Sequence, residues 1–316
     1  MNQPLKLGIS SCLLGNAVRY DGGHKLDRFL RDTLGAYVEF VPVCPEVECG
    51  MSVPREAMRL VGTIDAPRLK TIRSGQDMTD QMLDWAEKKN KWLAEQDLCG
   101  FIFKSKSPSS GLQGVKVYSE KGMPQQKGLG VFARAYTERF PLLPVEDDGR
   151  LHDPGLRENF IERIFVIRRW QEVAATKPAL APLIAFHSRH KYLILAHSTK
   201  HYQVMGKLVA HAAQMDADAL FAEYSSLLME ALLVRATKAK NFNVLEKSMG
   251  HFKKMITAWE KQEMLEVFRR YKEGHVPLIV PITLLNHYIR KYDEPYLKQQ
   301  YYFHPHPLEL KLRNHV

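Results

Sequence analysis

The chain has 316 residues, 45% hydrophobic and 25% charged, which excludes a disordered or collagen-like polymer and suggests about two domains with sizeable cores. Its net charge of +10 is uneven: residues 1–156 hold 21 Lys+Arg against 20 Asp+Glu, and residues 157–316 hold 24 against 15. No apolar run approaches the roughly 18 residues of a membrane span, so a membrane protein is excluded, and the basic second half points to a polyanion such as nucleic acid.

In chain order, residues 5–11 read as a buried strand that feeds a turn at Gly15. Leu26, Phe29, Leu30 and Leu34 then share one face of a helix beginning near Lys25. Residues 38–43 form a second strand, residues 60–72 a hairpin-like excursion, and residues 77–96 an amphipathic helix with Met78, Met82, Trp85 and Trp92 toward the core. Residues 99–103 are a third strand, residues 114–118 a fourth, residues 128–132 a glycine turn into a helix that runs through Arg139, and residues 141–144 close the sheet. Alternating strands and helices predict an α/β domain with a Rossmann-like parallel sheet over residues 1–148. The lone GxG at Gly128 and Gly130 lacks the acidic residue that a dinucleotide site needs. The acidic stretch from Glu146 begins a linker, and Asp153-Pro154 is a helix-start signal.

Residues 154–316 read as an all-α domain. Helices are predicted over 154–175, 178–198, 201–215, 217–236, 242–259 and 261–273, and from 281 to about 292. Eleven of the 13 histidines lie beyond residue 156; His197 and His201 have an i,i+4 spacing but no HExxH signature. Phosphate contacts and packing are the better roles for these histidines than zinc. The cations Arg189, Lys191, Arg235, Lys238, Lys240, Lys247, Lys253 and Lys254, interleaved with Tyr192 and Tyr202, suit RNA backbone contact and base stacking.

Loops after parallel strands gather at one sheet edge, where ligands bind. Three such loops carry Cys12, Cys44 and the stretch from Lys104 to Gly111, read KSKSPSSG. All four cysteines lie in the first half without a CxxC pair, which suits neither a disulfide scaffold nor a secreted protein. Only 11 residues precede Cys12, with no separate charged and apolar regions, so no signal peptide is read and a cytoplasmic, reducing location is expected. Each cysteine taken alone is equally a small buried hydrophobe. Thiolates from separate loops suit soft metals and iron–sulfur clusters, but spacing leaves zinc, a cluster and no metal open. Glu46, two residues from Cys44, could move protons at a bound substrate.

Residues 11–15 (SCLLG), 19–22 (RYDG), 44–46 (CPE), Pro54-Arg55 and 106–111 (KSPSSG) together resemble the thiouracil desulfurase family over about the first 145 residues. The second half, with residues 185–191 (AFHSRHK) and 277–285 (PLIVPITLL), resembles the helical domain fused to such enzymes in tRNA 4-thiouridine desulfidases. The resemblance implies a [4Fe-4S] cluster held by three cysteines with one iron open, and sulfide release from a thiolated uracil without net redox change. It implies Cys12 and Cys44 as ligands, Glu46 as the catalytic acid–base group, and a serine of the third motif, Ser107 ahead of Ser109, as its partner. The substrate implied is 4-thiouridine in tRNA, with free thiouracil as the alternative and a tRNA-binding protein without catalysis as the other. The family reads Ser-Pro-Ser-Cys-Gly in the third motif, so Ser110 stands where the third cluster cysteine belongs. Three explanations remain open: an engineered Cys→Ser change, a natural variant in which Cys49 or Cys99 takes over, or a domain that keeps only binding.

Overall fold

The computed structural model describes residues 4–175 and 179–314. The chain divides into two compact units, Met1–Leu156 and Arg157–Val316.

The first unit runs β1 (Leu5–Ser10), β2 (Val38–Val43), α1 (Pro45–Glu48), β3 (Met58–Val61), β4 (Arg68–Thr71), α2 (Thr79–Ala94), β5 (Phe101–Phe103), β6 (Val115–Tyr118), β7 (Pro124–Gly128), α3 (Val131–Arg139) and β8 (Val145–Asp147). It holds the expected parallel sheet, in the order β2-β1-β5-β8. In β1, Leu5, Leu7 and Ile9 are buried. Gly8 is required by its neighbour: a Cβ there would lie 2.2 Å from the Phe101 ring. That ring stacks on Phe103 at 4.3 Å and meets Tyr136 of α3 at 4.9 Å, so β5 and α3 share an aromatic core.

Several expectations are corrected here. Residues 115–118 belong to a separate mixed sheet, β4-β3-β6-β7, and β8 rather than residues 141–144 completes the parallel one. Glu146 and Asp147 are therefore buried strand residues, not linker. The helix expected from Lys25 shrinks to a π-helical turn over Phe29–Thr33 followed by a 3₁₀ turn over Leu34–Ala36. Trp92 faces outward at 42% exposure, with the Lys89 ammonium 3.9 Å from its ring centroid, because Met82, Ala86 and Leu93 already fill the buried face of α2.

The second unit is α-helical, as expected: α4 (Pro154–Ala174), α5 (Leu180–His197), α6 (Thr199–Ala210), α7 (Ala217–Leu233), α8 (Lys238–Met249), α9 (Ala258–Glu273), α10 (Ile279–Lys291) and α11 (Pro295–Lys298). The start expected at residue 178 lies outside the described residues. The side chains of Ser198, Asp216, Thr237 and Thr257 cap α6, α7, α8 and α9, each accepting an amide of the first turn. The cap at Thr257 corrects the expected helix over 242–259. The chain leaves α8 through a 3₁₀ turn at Gly250–Phe252 and restarts at Ala258, where Thr257 and Glu260 form a capping box. Inside the bundle, His197 Nε2 lies 2.5 Å from Glu162 Oε1, and Arg313 Nη2 lies 3.2 Å from Glu162 Oε2. No helix among the described residues is long and apolar enough to cross a membrane.

Candidate active site

The order β2-β1-β5 places three loop starts side by side at the carboxyl edge of the parallel sheet. Cys12 sits in a 3₁₀ turn, Ser11–Leu14, closed by Gly15 at φ 97°, a left-handed conformation that favours glycine. Cys44 is the residue before α1, so Pro45 and Glu46 fall in the first turn of that short helix. The third loop folds back on itself: the Gly111 amide donates to the Ser107 carbonyl at 2.8 Å.

This third loop is locked onto α3. The amides of Val131 and Ala133 donate to the carbonyls of Pro108 and Ser109, and the Gly130 amide donates to that of Gly111. The backbones approach so closely that a Cβ on Gly130 would lie 2.5 Å from the Ser109 carbonyl carbon. Gly130→Ala is accordingly expected to cost about 1–3 kcal/mol or more in urea denaturation, through overpacking against main chain that cannot yield. An unchanged midpoint would mean that the loop can separate from α3.

One cavity of about 330 Å³ is lined by Cys12, Cys44, Glu46, Ser107 and Ser110, together with Arg19, Arg55 and Lys104. The three expected cluster positions thus meet in it. Cys49 and Cys99 do not line it: the Cys49 thiol donates to the Glu46 carbonyl at 3.3 Å, and Cys99 is fully buried. Burial pushes the Cys12 thiol up to about 11 and the Cys44 thiol up to about 12, the Glu46 carboxylate adding to both. Both therefore keep their protons at neutral pH unless a metal displaces them. Among the described residues no three His, Cys, Asp or Glu side chains form a metal-binding group. The donor set is two thiols and one hydroxyl, which fits a cluster in placement and is one soft donor short of three thiolates.

Glu46 and the serines of the third loop form one hydrogen-bonded line. Ser109 Oγ donates to Glu46 Oε1 at 2.5 Å, and Ser107 Oγ lies 2.9 Å from Ser109 Oγ. Ser107 lines the cavity, whereas Ser109 is fully buried behind it. Ser107 Oγ also accepts the Ser110 amide at 3.1 Å, so the same hydroxyl fixes the Ser110 backbone. Arg55 Nη2 is 3.8 Å from Glu46 Oε2, and Arg55 Nε is buried without a hydrogen-bond partner.

Lys104 and Asp148 were not anticipated. Lys104 Nζ is 2.7 Å from Asp148 Oδ2, and Asp148 Oδ1 accepts the Ser105 amide at 2.6 Å. Burial pushes Asp148 up, but the Lys104 ammonium and the Ser105 amide outweigh it and hold the carboxyl below its ordinary value. An acidic run in sequence does not say which of its members turns inward.

The expected RNA-contacting cations are dispersed over α5, the α7–α8 connection, α8 and the turn after it. Lys191 lies over Tyr296 at 5.2 Å and Lys247 over Tyr202 at 4.9 Å. Lys191 and Tyr202 line one open cavity with Lys207 and His211. Arg189, Arg235, Lys238, Lys253 and Lys254 are exposed. Lys240 turns inward, its ammonium donating to the carbonyls of His197 and Arg235 at 2.7 and 3.1 Å. Tyr192 and the α5 histidines are packing residues. Tyr192 is buried with its hydroxyl 2.8 Å from His251 Nε2, and His190 stacks between Phe186 and Tyr301. His197 and His201 bond to different acids, Glu162 and Glu230.

Both units resemble known protein families. Residues 7–148 match the family model described as 2-thiouracil desulfurase, and residues 191–307 match a family described as a protein of unknown function, DUF1722. The chain is 29% identical over 153 residues to the uncharacterized protein YbgA of Escherichia coli K12, covering 48% of this chain and 90% of that protein. It is 31% identical over 108 residues to the uncharacterized protein YbbK of Bacillus subtilis 168, covering 33% of this chain and 71% of that protein. A solved structure of a [4Fe-4S]-dependent thiouracil desulfidase, TudS, aligns with a TM-score of 0.39 and 31% identity over 47% of this chain and 94% of its own. Through residues 7–148, the chain belongs to the 2-thiouracil desulfurase family.

Proposed function

We propose that this chain is built as a desulfidase of 4-thiouridine in tRNA, replacing the ring sulfur by the oxygen of water and releasing sulfide without net redox change. The observation that carries the reading is the meeting of Cys12, Cys44 and Ser110 with Glu46 and Ser107 in one cavity. Cys12 and Cys44 would hold a [4Fe-4S] cluster, with Ser110 at the third attachment. When bound, the cluster supplies a Lewis-acidic iron with a free position for sulfur.

The protein's own residues then have separable tasks. Glu46 is the proton acceptor for the water that attacks the ring carbon, and it returns that proton as the sulfur leaves. Ser109 holds Oε1 of Glu46 in place, and Ser107 carries the hydrogen-bonded line to the cavity wall. Arg55, which lines the cavity beside Glu46, offers a guanidinium donor to a pyrimidine carbonyl oxygen. With a serine at position 110, we propose that the chain as written holds little cluster.

The tRNA substrate rests on the second unit, whose 24 Lys+Arg against 15 Asp+Glu face a polyanion favourably. The thiolated base must be exposed or extruded to reach the cavity. The family description favours free thiouracil as the second reading, which would need only the first unit. The two separate in a binding experiment with the chain as it stands. Affinity for 4-thiouridine tRNA should fall about a hundredfold or more between about 50 and about 200 mM salt, as counterion release dictates. Affinity indifferent to salt would remove the support for tRNA.

A further inference from the structure

The break between α8 and α9 creates a surface that the basic residues alone did not announce. It exposes Trp259 at 71%, the most exposed large hydrophobic side chain among the described residues, with Met255, four residues before it, exposed at 40%. An indole this exposed presents an open aromatic face to solvent. It is also held rigidly. Thr257 caps the helix, Glu260 closes the capping box, and Glu260 Oε1 takes the Lys291 ammonium at 2.5 Å and the Tyr292 hydroxyl at 2.9 Å. The buried ring of Phe252 anchors the other end of the turn.

The charges next to this indole in sequence are mainly cationic, and Glu263, one helical turn further on, accepts the Tyr288 hydroxyl at 2.6 Å. Glu260, its only acidic neighbour in the run from Lys253 to Lys261, is spent on internal partners. Lys253, Lys254 and Lys261 are exposed and have no ion-pair partner among the described residues. A flat, preorganised aromatic face flanked by free ammonium groups matches a nucleotide: the π-face accepts a base and the cations meet its phosphates.

We infer that Trp259 is a base-stacking anchor of the nucleic-acid surface, with Lys253, Lys254 and Lys261 contacting the adjoining phosphates. The inference rests on the proposed tRNA substrate and adds a residue and a mode of contact to it. A nucleotide unstacked from its neighbours, in a loop or at an end, is the element that fits, because a paired base has no free face.

The test uses the full-length chain and fluorescently labelled 4-thiouridine tRNA, read by anisotropy. Trp259→Ala is expected to weaken binding about tenfold or more, Trp259→Phe to retain most of the affinity, and both to keep the salt slope of the parent. Lys253→Ala with Lys254→Ala should instead flatten that slope. Quenching of tryptophan fluorescence on adding tRNA should diminish in Trp259→Phe. Equal affinity of Trp259→Ala and parent would overturn the inference while leaving the tRNA reading intact; a parent that does not bind tRNA overturns both. A change of oligomeric state in Trp259→Ala with unchanged tRNA affinity would assign the surface to a second copy of the chain and likewise overturn it. Far-ultraviolet circular dichroism of each variant controls for folding, which an exposed side chain should leave unaltered.

Discussion

Ser110→Cys is expected to raise the iron and acid-labile sulfide bound per chain toward one [4Fe-4S] cluster, and to raise sulfide release at least about tenfold. The reason is donor softness: cluster iron binds a thiolate more tightly than a serine oxygen, and a tenfold change in affinity needs only about 1.4 kcal/mol. The local structure makes the exchange clean. Ser110 is 3% exposed, its amide is held by Ser107 Oγ at 3.1 Å, and its side chain lines the cavity that Cys12 and Cys44 share. A sulfur in place of that oxygen therefore needs no backbone movement. Cys49 and Cys99 lie off the cavity, so Cys49→Ala and Cys99→Ala should leave cluster content unchanged in the Ser110→Cys chain. Iron analysis after anaerobic reconstitution reads all of these. Equal iron in the Ser110 and Ser110→Cys chains would mean that a hydroxyl suffices as the third donor.

In the Ser110→Cys chain, Glu46→Gln is expected to lower turnover about 10²- to 10³-fold with the cluster retained, since general acid–base catalysis contributes on that order. Glutamine keeps the shape and can still accept from Ser109 Oγ, so the loss isolates proton transfer from geometry. Ser109→Ala removes the donor held 2.5 Å from Glu46 Oε1 and should cost less, about tenfold. Single-turnover sulfide release checks both, with the visible absorbance of the cluster as the control. Undiminished turnover in Glu46→Gln would displace Glu46 from the reaction and leave the serines or Lys104 as the proton carriers.

The parallel sheet was legible because β1 and β2 are short apolar runs that end in turn residues, and their loops carry the site. Position along those strands is enough to predict that Cys12, Cys44 and the 104–111 stretch converge. The β3–β4 hairpin and β6 were legible as elements, but β7 and the joining of all four into a separate sheet were not, because these strands are four or five residues long and rich in Lys, Arg and Gln. Their pairing is fixed by tertiary contact rather than by local pattern. The strand β8 was missed for a related reason: Glu146 and Asp147 are polar residues made affordable in the interior by bonds to Arg150.

The helical unit was legible in its periods but not in its interruptions. The apolar residues Val244, Leu245, Phe252 and Ile256 continue a helical spacing across the break, yet the capping box at Thr257 and Glu260 overrides it. Chemistry at single side chains was least legible. Tyr192 read as a stacking group in a basic stretch and turns out to be buried, while Trp259, read only as the end of a predicted helix, is the most exposed large hydrophobic side chain among the described residues. Periodicity assigns a face, but only the packing of neighbours says whether that face is covered.

The most direct measurement is sulfide release by the reconstituted Ser110→Cys chain, with 4-thiouridine tRNA and free thiouracil offered in parallel. The account predicts conversion of the tRNA base to uridine with one sulfide per base, and a higher kcat/KM for tRNA than for the free base. Cluster-loaded protein that leaves the tRNA base intact while releasing sulfide from thiouracil would contradict the assigned substrate; release from neither would contradict the desulfidase itself.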